Sequence, residues 1–330
     1  MREERHRFYS DGLRLDAKFF LPDDLSDGGK PRPLIVPCSG FTGLMDFHPA
    51  RFARALAERG LPSFGFDYRG FGASEGQAGR VILEEQVRDV QHAVAYAATD
   101  PRIDSACIFL AGWGMGGGLV LAAGRHLAGV RGLICLNGFY NGRRLYEANR
   151  TPEQMDELYD EIRDERRHRA RTGETRWVDP FTFYLLDRSS EGYVNAVLRD
   201  APGYNGGSYA FELADSLLNW EPDVYAGGYR IPLLIAHGTE NRLHTVEEAW
   251  RLYVTYGGPR QLYWLDGLGH TEWMLDDHPT FKALCTYIAD WVGERIQEDR
   301  VRGYTMARQE RSPAAVTRSA AAPEDGDAPP

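Results

Sequence analysis

With 330 residues and ordinary apolar (43%) and charged (26%) fractions, the chain can bury one large core or two modest ones, and a single domain carrying an insertion is expected. Its 38 basic against 48 acidic side chains leave a formal net charge of −10, which argues against nucleic acid or an anionic membrane as the main partner and leaves small molecules. Cys38, Cys107, Cys135 and Cys285 lack metal-ligand spacing, no cleavable leader opens the chain, and no apolar run approaches bilayer length, so a soluble, cytoplasmic protein with reduced cysteines and no metal or cofactor is expected.

The chain opens on a Ser-Asp-Gly turn, after which Leu13, Leu15, Ala17 and Phe19 alternate with polar neighbours, the pattern of a half-exposed antiparallel strand. From Pro33 the pattern becomes short continuous apolar runs: PLIVPC, PSFGF, ACIFLAG, GLICLNG, IPLLIAHG and QLYWLDG. Such runs are strands buried on both faces, as in a parallel sheet covered by helices. Between them the segment from Val81 to Thr99 sets Val87, Val90, Val94 and Ala97 on one helical stripe, and Thr245 to Glu248 reads as a capping box.

The strand–helix alternation breaks once, from about Asn141 to Asn219, where no strand is evident. Thr151-Pro152-Glu153-Gln154 caps a helix there that starts acidic and ends with Arg166, Arg167, Arg169 and Arg171, in keeping with the helix dipole. This part is read as a helical lid, residues 141–219, over a core formed by 1–140 and 220–298. The arginines from Arg163 to Arg176 alternate with acids and read as a solvated surface. After about Arg302 the composition turns too polar to pack, and residues 299–330 are expected to be a disordered tail.

The stretch LAGWGMGGG, Leu110 to Gly118, follows an apolar run and opens a small-residue helix. A strand–turn–helix of this kind usually holds a nucleophile at the centre of G-x-S-x-G, and here Gly114 occupies that place. Gly112, Gly114 and Gly117 also satisfy G-x-G-x-x-G, but no acidic residue stands about 20 positions on, which weighs against a dinucleotide.

Four turns in this order resemble the α/β-hydrolase superfamily: CSGFTG from Cys38, FDYRGFGASEG from Phe66, HGTENRLH from His237, and GLGHTEWM around His270. The resemblance spans roughly Phe8 to Glu298 and implies an α/β-hydrolase fold, a mostly parallel sheet flanked by helices. Carried over by position, it implies His270 as catalytic histidine and Asn241, with Glu240 beside it, in place of the triad acid. Ser39, Phe41, Trp113, Gly114 and Met115 would form the binding and oxyanion turn, with the amides of Phe41 and Met115 as donors. Asn241 would accept the Nδ1 proton of His270 through its side-chain oxygen, with Glu240 as competing partner. Ser74, Asp67 and Arg69 are read as holding their own turn, Cys38 as a small buried residue, and His237 as loop packing.

With two triad positions altered, serine acyl chemistry does not transfer to this chain. The expected function is a non-hydrolytic lyase, isomerase or cyclase acting through a His270 base and oxyanion amides on a small apolar or polyketide-like metabolite. Two alternatives stand beside it: a pseudoenzyme that only binds, and a hydrolase that activates water directly. The lid aromatics Phe181, Phe183, Tyr184, Tyr193, Tyr204 and Tyr209 suit an apolar ligand.

Overall fold

The computed structural model describes residues 1–41, 43–125, 127–204 and 207–310, with side chains as far as Glu298. The chain runs β1 (Arg2–Ser10), β2 (Leu13–Leu21), β3 (Arg32–Cys38), α1 (His48–Ala57), β4 (Ser63–Phe66), α2 (Leu83–Ala97), β5 (Ile103–Trp113), α3 (Met115–Gly124) and β6 (Val130–Leu136). It continues through α4 (Gly142–Ala148), α5 (Pro152–Thr172), β7 (Trp177–Val178), α6 (Arg188–Tyr193), β8 (Tyr209–Ala210), α7 (Glu212–Leu218), β9 (Leu233–Gly238), α8 (Val246–Thr255), β10 (Arg260–Leu265) and α9 (Pro279–Glu310).

Eight strands form one sheet in the order β1-β2-β4-β3-β5-β6-β9-β10. The β1–β2 and β2–β4 pairs are antiparallel and every other neighbour is parallel. This is the architecture the apolar runs imply: Leu110, Leu133, Ile134, Leu234 and Ile235 are fully buried, because helices cover both faces. The amphipathic α2 buries Val90, Val94 and Ala97 as its stripe requires. It also buries Asp89, which receives four bonds from Arg69 at 2.7 to 3.1 Å. Arg69 therefore locks its turn to α2, and Ser74 closes the same turn by donating to the Asp67 carbonyl at 2.7 Å.

Three expectations change. First, residues 141–219 are not free of strands: β7 and β8 pair antiparallel, and the Ala210 amide donates to the Gly79 carbonyl at 2.9 Å, tying this ribbon to the core. Two-residue strands are too short to leave a period in sequence. Second, α5 has the full Thr151–Gln154 capping box, but Thr245 makes no side-chain cap. Glu248 is instead drawn to Arg144 (2.5 Å) and the Tyr140 amide (2.9 Å), where a charge-assisted pair outweighs a neutral cap. Third, α9 continues past Arg302 to Glu310, while residues 311–330 lie outside the described part. Among the described residues no helix is long and apolar enough to cross a membrane.

Candidate active site

The centre of the sheet delivers the site. β5 ends at Trp113, the chain reverses at Gly114, and α3 starts at Met115. Gly114 has φ +60° and ψ −124°, a region that strains any side-chain-bearing residue by roughly 1–3 kcal/mol. The flanking glycines are needed for close approach: a Cβ on Gly112 would strike the Gly116 carbonyl, and one on Gly116 the Ser39 carbonyl. At Gly114 the position differs. A Cβ there would lie 3.5 Å from His270 Nε2 and 3.7 Å from His244 Cε1, in ordinary contact with both rings. The turn thus has the shape of a nucleophile elbow with glycine at its centre, and the space at that position lies between two imidazoles.

His270 sits on the loop after β10 and is buried. Its Nδ1 is 3.1 Å from Asn241 Nδ2, on the loop after β9. The carboxamide's orientation follows from a second bond, because the backbone N–H of His244 donates to Asn241 Oδ1 at 3.0 Å and a backbone amide can only donate. The Asn241 nitrogen therefore faces His270 and donates to Nδ1, which puts the imidazole proton on Nε2, toward Gly114. Two expectations are corrected here. Asn241 orients the histidine through its nitrogen, not its oxygen, and His270 offers the pocket an N–H in place of a lone pair, so it is not poised as a base. Glu240 does not compete for this role: it is exposed, with its amide bonded to the Leu268 carbonyl at 2.9 Å.

Burial, reinforced by His244, His237 and His48 nearby, holds His270 well below the ordinary histidine range, so the ring is neutral. His244 is a functional residue that the sequence reading passed over, although it closes the quoted loop HGTENRLH. Its Nδ1 donates to the Asn137 carbonyl (2.7 Å), leaving Nε2 to accept the Tyr184 hydroxyl at 2.7 Å. Burial lowers it to about 3. The two rings meet edge to face with centroids 4.6 Å apart, and the proton positions are opposite: Nε2–H on His270, Nδ1–H on His244.

Asn137, at the end of β6, holds both loops. Its Nδ2 donates to the carbonyls of Gly269 (3.2 Å) and His270 (2.9 Å), and its Oδ1 accepts the Gly238 amide at 2.8 Å. Its φ of +47°, in the left-handed region, is one that asparagine tolerates better than most residues.

Phe41, Trp113, Gly114 and Met115 line a small apolar cavity of about 40 Å³. Residues 181–204 supply its roof, with Phe181, Tyr184, Leu186, Tyr193, Leu198 and Tyr204 all facing it. Phe41 packs against Tyr184 and Phe181 of that segment, tilted with centroids 4.7 and 5.7 Å away, and stacks on Tyr209 of β8 at 5.5 Å. No lysine, arginine, aspartate or glutamate lines the cavity among the described residues. Ser39 is fully buried behind the turn and does not reach the cavity wall, contrary to its expected contact with substrate. Cys38 is buried with its thiol pushed up to about 12 by desolvation, and likewise stays off the wall. Among the described residues no group of three or more His, Cys, Asp or Glu is arranged to hold a metal.

A mostly parallel sheet, a strained turn after its central strand and a histidine loop after its last strand define an α/β-hydrolase fold. The chain belongs to the family described as serine aminopeptidase, S33, whose sequence model matches residues 29–276. An Escherichia coli relative described as "Uncharacterized 31.7 kDa protein in traX-finO intergenic region" is 26% identical over 251 residues, 76% of this chain and 87% of that protein. The quorum-quenching protein AidA of Acinetobacter baumannii (strain MDR-ZJ06) is 36% identical over 91 residues, covering 27% of this chain and 30% of that one. Among solved structures, the α/β hydrolase GrgF from Penicillium sp. sh18 aligns with a TM-score of 0.73 at 18% identity, covering 89% of this chain and 99% of that one.

Proposed function

We propose that the protein is a non-acylating enzyme of its family, which binds a neutral, apolar carbonyl compound under residues 141–219 and moves a proton on it. In this reading the carbonyl oxygen lies in the space beside Gly114, next to His270 Nε2 and at the N-terminus of α3. The first amides of a helix have no partner within it and carry its positive dipole end, so they suit a developing oxyanion. A neutral imidazole that donates from Nε2 can polarise a carbonyl without being consumed as an acid.

The observation that carries this reading is the orientation of Asn241. With its oxygen taken by the His244 amide and its nitrogen facing His270, the histidine has no lone pair at Nε2 for a serine or a water. This disfavours direct water activation as well as acyl transfer. The uncharged cavity wall favours a neutral ligand, since an ion buried there would meet no partner charge.

The test is intact-protein mass spectrometry after incubation with a fluorophosphonate probe and with p-nitrophenyl butyrate. The expected result is an unshifted mass and ester turnover no faster than buffer. Stoichiometric phosphonylation or acylation overturns the reading.

A further inference from the structure

We propose that Tyr184 and His244 form the proton-accepting couple of this pocket and that the ligand is a ketone whose C–H is acidified by an adjoining aryl or acyl group. The inference rests on the non-acylating reading above and adds the base that it lacks.

Two rings flank the space beside Gly114. His270 presents an N–H there and can only donate, so the base must lie elsewhere. His244 Nε2 is the other imidazole nitrogen on this side, and it is already engaged at 2.7 Å by the Tyr184 hydroxyl. Because the backbone carbonyl of Asn137 takes the Nδ1 proton, the direction of the second bond is fixed: Tyr184 donates and His244 accepts. Tyr184 is one of the residues lining the cavity, and its hydroxyl proton already points at the His244 nitrogen. Tyr184 is nearly fully buried and wedged between Phe41 and His244, so the hydroxyl is shielded from bulk water while the roof is closed.

The proton count closes on this chain alone. The substrate C–H bond breaks and its proton joins the Tyr184 oxygen, while the Tyr184 proton crosses to His244 Nε2. The electron pair left on carbon passes to the carbonyl oxygen as an enolate, held by the His270 Nε2–H and the α3 amides. The new His244 imidazolium keeps its Nδ1–H bond to Asn137. Reversal returns a proton to a conjugated carbon, giving isomerisation with no other reactant, or to the same carbon, giving exchange once the protons of the couple have traded with solvent between turnovers. No free phenolate forms, which burial would oppose. Burial makes the His244 imidazole a weak base, which restricts the couple to carbon acids far stronger than a simple alkyl ketone.

The experiment uses full-length protein and 2-tetralone, a neutral ketone with a C–H activated by its fused ring. Hydrogen–deuterium exchange at C1 is followed by proton NMR in D2O, and binding by quenching of tryptophan fluorescence. Wild-type protein is expected to exchange C1 faster than buffer. Tyr184→Phe and His244→Gln, changes on separate elements, should each lose about 10²-fold of that acceleration while the Kd stays within about threefold. Wild-type exchange at the buffer rate, or full exchange in both variants, overturns the couple. Either result leaves the non-acylating reading standing, since that reading is decided separately by the unshifted mass.

Discussion

The side-chain nitrogen of Asn241 lies 3.1 Å from Nδ1 of His270, while the oxygen of the same carboxamide takes the backbone amide of His244 at 3.0 Å. A carboxylate at this position would accept from both and hold the His270 proton on Nδ1. The amide accepts from one, donates to the other, and so reverses the tautomer. In solution, long-range proton–nitrogen correlation spectra of the histidine rings should show His270 protonated at Nε2 and His244 at Nδ1. Asn241→Asp should move the His270 proton to Nδ1; an unchanged pattern would separate residue 241 from the tautomer.

The same geometry makes the restoration of esterase activity strongly non-additive. A Cβ at position 114 fits 3.5 Å from His270 Nε2, so Gly114→Ser puts a hydroxyl within reach of the ring. That ring still points a proton at it, and a histidine in the wrong tautomer costs a serine triad on the order of 10⁴ in rate. Gly114→Ser alone should give p-nitrophenyl ester hydrolysis close to background, and Asn241→Asp alone none. The double variant should exceed either by about 10²–10⁴-fold. Equal rates in all three would show that more than these two positions has changed.

Stability should fall steeply in mild acid. Burial lowers His48 and His244 to about 3, His237 to about 4, and His270 well below its ordinary value of 6.5. Each is neutral when folded and takes up a proton once unfolded below pH 6.5. Their contribution is therefore complete above that pH and declines as pH drops toward 4. At pH 5.5 the loss is about 1 kcal/mol per histidine and several kcal/mol, on the order of 5, for the four together. Asp67 acts in the opposite sense: burial raises it to about 6, so folding favours its protonation and offsets about 1 kcal/mol. Urea unfolding at pH 8 and pH 5.5 measures the difference, and equal midpoints would refute it.

Asn137→Ala should be costly out of proportion to its size. It removes the donor to the Gly269 and His270 carbonyls and the acceptor of the Gly238 amide; Gly269 keeps the Trp273 indole N–H at 3.3 Å, so the His270 carbonyl and the Gly238 amide are the buried groups that lose this partner. At about 1–3 kcal/mol each, the loss should reach roughly 2 kcal/mol or more by chemical denaturation. A change within 0.5 kcal/mol, typical of neutral surface substitutions, would mean that the two loops hold without it.

The segment 141–219 should open more readily when its clasp is cut. Asp215 pairs with Arg166 at 2.6 Å and Arg169 at 2.9 Å, and Arg169 also reaches Glu212 at 3.3 Å. Asp215→Ala should raise amide exchange in α5 and α7 and speed proteolysis within the segment, with little change in β5 or β6. A bound 2-tetralone should slow those cuts in wild-type protein. Cutting that ignores both the variant and the ligand would detach this segment from the pocket.

Much of the architecture could be read from the chain because its signals are local. Continuous apolar runs specify strands buried on both faces, and the glycines around Gly114 specify a turn that a side chain would strain. Both follow from backbone sterics and burial acting over a few residues. The acid-position asparagine was equally visible as a residue type. Its role was not, because a carboxamide's orientation depends on which donor reaches its oxygen, and that donor, the His244 amide, is placed by the folded loop. Tyr184 and His244 lie 60 positions apart, and their bond exists only because the roof segment packs against the loop after β9. Residue identities and spacing determined a hydrolase-type scaffold with glycine at the centre of its turn; the packing of two loops against Asn137 decided where each imidazole proton sits, because hydrogen-bond direction is fixed by partners that only tertiary structure brings together.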